Sequence, residues 1–497
     1  MTNTEEIQLI QTEIGDKAGR GLKWSLVGTL GAKVGSFAMG LVLARLLEPS
    51  DYGTFGIATA ALAVLMHIND VGLIAAVVQW RGKLEDMAPT AATLAAVFGV
   101  VVYGIFYVTA PAYSAFSGEA DAVGVVRLLT VVIVIDGLTA VRSAALMREF
   151  RQDKMIIANT VGLGFQIVVS IWLAIAGAHA YAFAWGQVAG AVVGGLLTTI
   201  FAKVPLRFGY NREIAKKLLK YGFPLAVSLG IEAIVMNVQL AIVGRISGQE
   251  QLGFYVLAFN MSMWAQTILG TAIRYVSVAG FSRLSETDDR ALAQGVHKYI
   301  PMLVSVVAPI IALMSVLATP LVTLLYGGKW SPAGPALMLL VGLTFVRMVT
   351  GLAMDALMGA GATRSTLWIY LGWSIALVPA LWIATESLGI NGAAIAQTGI
   401  GLLVGVPLTA IALQRAKVAL RPMGPPLVRP LLSTVLAAAV AAVVAHFTGP
   451  YPVVQLLAGG TVGLLVYVPL VVPRDQLRRL PSTLLRRGGS APIPEEA

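Results

Sequence analysis

The chain has 497 residues, 57% of them hydrophobic and 12% charged, with no cysteine and a formal net charge of +10. A soluble domain carries about 25% charged residues, so the composition excludes an ordinary soluble enzyme and places the chain in lipid. Without cysteine there are no disulfides, thiol nucleophiles or thiolate metal sites, and His67, His179, His297 and His446 are too widely spaced to suggest a metal site.

Residues 1–21 are polar and read as a cytoplasmic N-terminal segment. Lys17, Arg20 and Lys23 then precede a long apolar stretch that lacks the short core and small-residue cleavage site of a signal peptide, so the first helix is expected to be retained. A membrane helix needs about 20 predominantly apolar residues. On that criterion fourteen spans are expected, at 22–44, 52–78, 88–109, 122–146, 155–176, 180–202, 218–244, 252–277, 298–318, 334–357, 365–385, 391–413, 428–447 and 452–472. The tail, 473–497, is polar and rich in Arg, Pro and Gly, and is expected to be cytoplasmic and disordered.

The distribution of Lys and Arg tests this count, because short cytoplasmic connections of a membrane protein carry the positive charge. With the N-terminus inside, Arg81, Lys83, Arg148, Arg151, Lys154 and the cluster Lys203 to Lys220 all fall on the inner side, whereas the outer connections hold only Arg45, Arg245 and Lys329. An error of one helix would scramble that alternation. The expected architecture is therefore an all-α polytopic membrane protein with both ends cytoplasmic. The net positive charge reads as topology and contact with anionic membrane lipids, not as nucleic-acid binding.

Organisation follows from an internal duplication. Residues 44–58 join the first span to the second, and 244–258 join the seventh to the eighth. Shifted by 200 without a gap, Arg45 falls on Arg245, Gly53 on Gly253 and Ala58 on Ala258. An even number of spans between the copies keeps both in one orientation, so two parallel six-helix lobes related by a pseudo-twofold along the membrane normal are expected, followed by two extra helices. The lobes are expected at 22–202 and 218–413, joined by a basic linker at 203–217, and a second linker at 414–427 leads to the last pair, 428–472. No outer loop is long enough for a catalytic domain; Glu119 and Asp121 form the one acidic cluster there. No Gly-x-x-x-x-Gly-Lys-Ser/Thr sequence occurs, so no nucleotide, metal or other cofactor and no enzymatic activity are expected.

Ionisable residues at membrane depth are costly and are candidate functional residues by default. Here they are Lys33, Asp70, Arg127, Asp136, Glu232, Arg274, Arg347 and Asp355, with His67 and Arg142 beside them. The first eight are candidates for a substrate cavity, and Asp70, Asp136, Glu232 and Asp355 for carrying a coupling ion. Lys33 lies about 15 Å from either end of its span at 1.5 Å per residue, and shifted by 200 it lands beside Glu232. It either binds an anionic group or forms a buried ion pair with Glu232. The sequence Asn69-Asp70-Val71-Gly72 reads as a helix interruption. A bridge between Asp136 and Arg347 is a further expectation. Arg142 and Arg274 are expected to anchor at the interface, Arg45 and Arg245 to cap helix ends or meet lipid phosphates. Gly31/Gly35 and Gly186/Gly190 have the small-x-x-x-small spacing of closely packed helices.

Several of these stretches together resemble the polysaccharide transporter (Wzx-type oligosaccharide flippase) family of the multidrug/oligosaccharidyl-lipid/polysaccharide exporter superfamily. They are Gly21-x-x-Trp24, then Ala44-Arg45-Leu46-Leu47-x-Pro49-x-Asp51-Tyr52-Gly53, then Asn69-Asp70-x-Gly72-Leu73 with Val77-Val78-Gln79, and Met147-Arg148-Glu149-Phe150-Arg151. The resemblance implies passage of an undecaprenyl-diphosphate-linked oligosaccharide across the bacterial inner membrane by alternating access, for exopolysaccharide, O-antigen or capsule. It implies a cation-lined central cavity, to which Lys33 and Arg127 match by position, and a polysaccharide polymerase and export machinery as further partners. Asp136 and Glu232 at similar depth depart from a purely cationic lining. A lipid II flippase or a small-molecule cation/drug antiporter of the same superfamily remains an alternative.

Overall fold

The computed structural model describes residues 28, 31–78, 84–149, 151–202, 204, 207–285, 289–359, 363–416 and 418–471. The expected segments 1–21 and 473–497, and the side chains of Asp70, Glu232 and Arg274, lie outside the described residues. Every regular element among the described residues is helical. α1 covers residues 31–46. It is followed by α2 (Pro49–Val78), α3 (Leu84–Phe116), α4 (Val123–Thr130), α5 (Val132–Arg148), α6 (Gln152–Ile175), α7 (Tyr181–Ala202) and α8 (Arg212–Ser285). The remainder are α9 (Asp289–Val316), α10 (Ala318–Tyr326), α11 (Ala333–Gly359), α12 (Thr363–Ile400), α13 (Val406–Arg415), α14 (Gly424–Phe447) and α15 (Pro452–Val471).

Ten helices among the described residues are long and apolar enough to cross a membrane. Two very long helices account for much of the difference from fourteen. α8 has 74 residues, which at 1.5 Å each would run about 110 Å, several times the roughly 30 Å of a hydrocarbon core. It is broken at Gly248, whose φ of 78° and ψ of 173° no helix contains. α12 is likewise broken at Gly389, with φ 59° and ψ −141°. Each reverses at a glycine because a positive φ is strained for other residues, and the two breaks fall at the expected turns. Every expected span has a helix over its described residues.

The helix starts follow local chemistry. Pro49 opens α2, where a missing N–H costs nothing, and Asp51 in its first turn accepts the Glu48 N–H at 3.1 Å. Asn211 caps α8, its Oδ1 accepting the N–H of Glu213 at 3.0 Å and of Ile214 at 3.3 Å. The segment before it is tied to the start of α3: Gly209 N–H donates to Thr93 Oγ1 at 3.0 Å, and Asn211 N–H to Thr90 Oγ1 at 3.1 Å.

The expected interruption of the second span is corrected: α2 runs unbroken through Asn69-Asp70-Val71-Gly72 to Val78. One glycine inside a long helix costs only about 1 kcal/mol. Asn69 does not compete for the backbone, because its amide is engaged across the bundle by Asp136.

Packing divides the chain into two compact units: one holds the described residues up to Val256 with Thr385–Ile390, the other Leu257–Ala384 and the described residues from Asn391. Helices in lipid gain little from excluding water, so close backbone approach does much of the work. In the first unit, α6 and α7 meet at Gly162 and Gly190, where a Cβ on either would lie 2.7 or 2.9 Å from the other's carbonyl oxygen. Gly31, by contrast, faces open space. In the second unit, α14 and α15 pack on α9 and α10; Tyr467 OH donates to Ser305 O at 2.6 Å, and Trp330 is fully buried.

The duplicated corners meet within the first unit. A Cβ on Gly53 would collide with the carbonyl of Gln249, and one on Gly253 with that of Pro49. Since 53 corresponds to 253 and 49 to 249, the contact is reciprocal, as a contact between two copies of one motif about a twofold must be. Gly56 faces its own counterpart, Val256, at the centre of the seam.

Candidate functional site

A cavity of about 290 Å³ in the first unit lies between α2, α5, α6 and α7. α5 contributes Ile135, Asp136, Thr139 and Ser143; α6 contributes Asn159, Gly162 and Gln166; α7 contributes Gln187, Gly190, Gly194 and Thr198. Apart from the adjacent Ile135 and Asp136, successive members are three or four residues apart, so each set is one face of its helix. Three helices that look uniformly apolar thus turn their polar stripes toward one space.

Among the described residues lining the cavity, Asp136 is the single carboxylate and none is basic. It stands twelve residues before the end of α5, Arg148, about 18 Å along the helix axis, and so near mid-depth of the span. Its Oδ2 accepts a hydrogen bond from Asn69 Nδ2 at 2.8 Å. Thr139 Oγ1 turns back to the carbonyls of Ile135 and Asp136, each at 3.1 Å. One negative charge, held by an amide and surrounded by neutral oxygen and amide groups, is a setting for a proton or a monovalent hard cation. Among the described residues no group of three His, Asp or Glu side chains forms a metal site.

The other expected residues are dispersed. Lys33 is exposed on α1. Arg127 is spent on α3: its Nε donates to Tyr107 O at 3.0 Å, and its guanidinium lies 4.0 Å from the centre of the Tyr107 ring. In the second unit, Arg347 donates to Met263 Sδ at 3.6 Å and lies 5.9 Å from the Phe259 ring centre; Asp355 is half-buried on α11. The described partner of Asp136 is Asn69, not another of the candidate charges. The interfacial role expected of Arg142 is corrected, since that side chain is 3% exposed and donates to Leu138 O at 2.8 Å. Arg245 does cap a helix end, donating to Phe116 O at 3.3 Å. His67 is exposed and bonded to Ala63 O at 2.7 Å.

Sequence reasoning missed the neutral members, Asn159, Gln166, Gln187, Thr139, Ser143 and Thr198. The signal was present as polar residues recurring at helical period within apolar spans, but a charge count does not register amides.

The fold defines a class, that of polytopic helical membrane proteins. The structure of the lipid II flippase MurJ in an inward closed conformation superposes with a TM-score of 0.75 at 13% identity, covering 92% of this chain and 100% of that one. An inward-facing multidrug resistance MATE family transporter superposes at 0.64 and 17% identity, covering 78% and 95%. The chain belongs to the family described as polysaccharide biosynthesis protein, whose model matches residues 42–335. Among its relatives, the succinoglycan biosynthesis transport protein ExoT of Rhizobium meliloti is 22% identical over 93% of this chain and 94% of its own. The lipopolysaccharide biosynthesis protein WzxC of Escherichia coli is 21% identical over 76% and 77%.

Proposed function

We propose that this chain translocates a polyprenyl-diphosphate-linked oligosaccharide from the inner to the outer face of the bacterial cytoplasmic membrane by alternating access. The observation that carries the reading is the relationship to a named polysaccharide transport protein along nearly the whole of both chains. A charged glycan head cannot cross about 30 Å of hydrocarbon unaided. A helical transporter solves this by shielding the head between its two halves while the lipid tail stays in the bilayer, and by rocking to open one side at a time. The positive-inside charge pattern supports placing both termini in the cytoplasm and the corners at 45–51 and 245–251 on the outer face.

In this reading Lys33 is the described cation best placed to meet the diphosphate, because Arg127 is engaged by Tyr107. Asp136 is the coupling-ion residue favoured among the described acids, because it lies in a polar cavity at mid-depth. A polymerase and an export apparatus would take up the product outside. The competing reading is a lipid II flippase, favoured by the superposition on MurJ. Deleting the gene tests both: the proposal expects oligosaccharide-lipid to accumulate on the cytoplasmic face with cell-wall synthesis intact. Normal delivery of that glycan to the outer face, or arrest of cell-wall synthesis instead, would reject it.

A further inference from the structure

The turn after α3 closes against the second glycine corner. A Cβ on Gly118, whose φ is +79°, would lie 2.7 Å from Gly244 O and 2.8 Å from Arg245 Cα, and one on Gly244 would lie 2.7 Å from Ser117 O. These approaches continue the seam in which Gly53 and Gly253 meet the opposite backbones. The first unit thus gathers turns from both halves of the chain on the expected outer face, including Thr385–Ile390.

Glu119 sits inside this closure. It is 3% exposed, its N–H donates to Ser114 O at 2.9 Å, and its Oε2 has no hydrogen-bond partner among the described residues. Ser114 Oγ beside it is also buried without a partner among the described residues. A buried ionised carboxylate with no cation or donor is costly, whereas its neutral form is tolerated. Burial pushes the Glu119 carboxyl up to about 7, and the nearby Asp121 adds to the rise. The neighbouring charges do not offset it. Arg245 is committed to Phe116 O and ring, Arg127 to Tyr107, and Asp51 to the Glu48 N–H and, at 3.5 Å, to His179 Nδ1.

We propose that Glu119 is a proton-binding site of the outer gate: protonated from the outer aqueous phase, it lets the 117–119 turn close on the 244–245 corner, and ionised, it favours parting of the seam and hydration of the carboxylate. The inference rests on the alternating-access reading above. It explains why a carboxylic acid stands at a contact otherwise made by glycines and serines. It also gives the sign of the response. A closed-state value raised above the ordinary 4.5 means that closure is favoured in acid and is lost as pH climbs from about 4.5 to about 7, levelling off beyond.

The chain's lack of cysteine allows two spin labels to be placed cleanly, at Ala115→Cys on α3 and Gln251→Cys on the corner, both exposed positions. Their separation would be measured in lipid nanodiscs, without substrate, from pH 4.5 to 8.5. The expected result is a long-distance population whose ratio to the short one grows by up to about tenfold per pH unit until it levels near neutrality. Glu119→Gln should stay closed at every pH, and Glu119→Asp should restore a titration. A parent chain with no pH response would overturn the proposal whatever the variants do. So would a response that survives in Glu119→Gln, or one that vanishes in His179→Gln, which would transfer the role to the His179–Asp51 pair. Because the readout needs no glycan, its failure is separate from failure of the flippase reading.

Discussion

Replacing Gly53 by alanine places a methyl group against main chain, not against a side chain that can swing away. Besides the carbonyl oxygen, the new carbon would lie 2.9 Å from Gln249 C and 3.2 Å from its Cα. Overpacking of this kind costs about 1–3 kcal/mol. Alanine also stabilises a helix relative to glycine by about 0.5–1 kcal/mol, but α2 is helical whether the seam is open or closed, so that gain cancels in the equilibrium between them. The clash exists only in the closed seam. The full 1–3 kcal/mol therefore shifts the balance toward opening, by roughly 5- to 150-fold. The labels at positions 115 and 251, read at pH 5 where closure is strongest, should show a gain in the long-distance population on that scale. Gly104→Ala is the control, since Gly104 faces open space. A Gly53→Ala chain with the parental distance distribution would refute the argument that this contact holds the outer face shut.

Two further outcomes follow from the proposed sites. Asp136→Asn keeps a hydrogen-bonding amide opposite Asn69 but removes the cavity's charge; the protein should insert normally while transport loses its dependence on a proton or sodium gradient by at least tenfold. Retained gradient dependence in that variant would move the coupling site elsewhere. Lys33→Ala should lower polymer export with normal protein level and membrane insertion, as measured by secreted glycan per cell, and unchanged export would remove Lys33 from the substrate path.

Much of the architecture was legible because the bilayer allows few solutions. Hydropathy sets each span, so the turns at Gly248 and Gly389 were located although each lies within a continuous run of helical assignment. The duplication at 44–58 and 244–258 was legible from three identities, and the two segments prove to touch. What escaped was anything decided by rotation of a helix about its axis. The seven-residue spacing from Asn159 through Leu163 to Gln166 is unremarkable until α6 is turned toward α5 and α7. Arg127 and Arg142 are equally basic in sequence, yet one reaches Tyr107 at the bundle surface and the other is buried along its own helix. The Asn-Asp-Val-Gly stretch read as a break because its residues are poor helix formers, but the cross-bundle bond of Asn69 turns one of them into a packing contact.

The direct test of translocation uses the purified chain in proteoliposomes that hold a polyprenyl-diphosphate-linked oligosaccharide, with glycan exposure followed by an impermeant glycosidase. The account predicts that the protected fraction becomes accessible at a rate proportional to protein content and abolished by locking the seam with a disulfide between Gly56→Cys and Val256→Cys, whose Cβ atoms would lie 3.6 Å apart. Exposure no faster than in protein-free vesicles, with the same protein transferring lipid II, would contradict it.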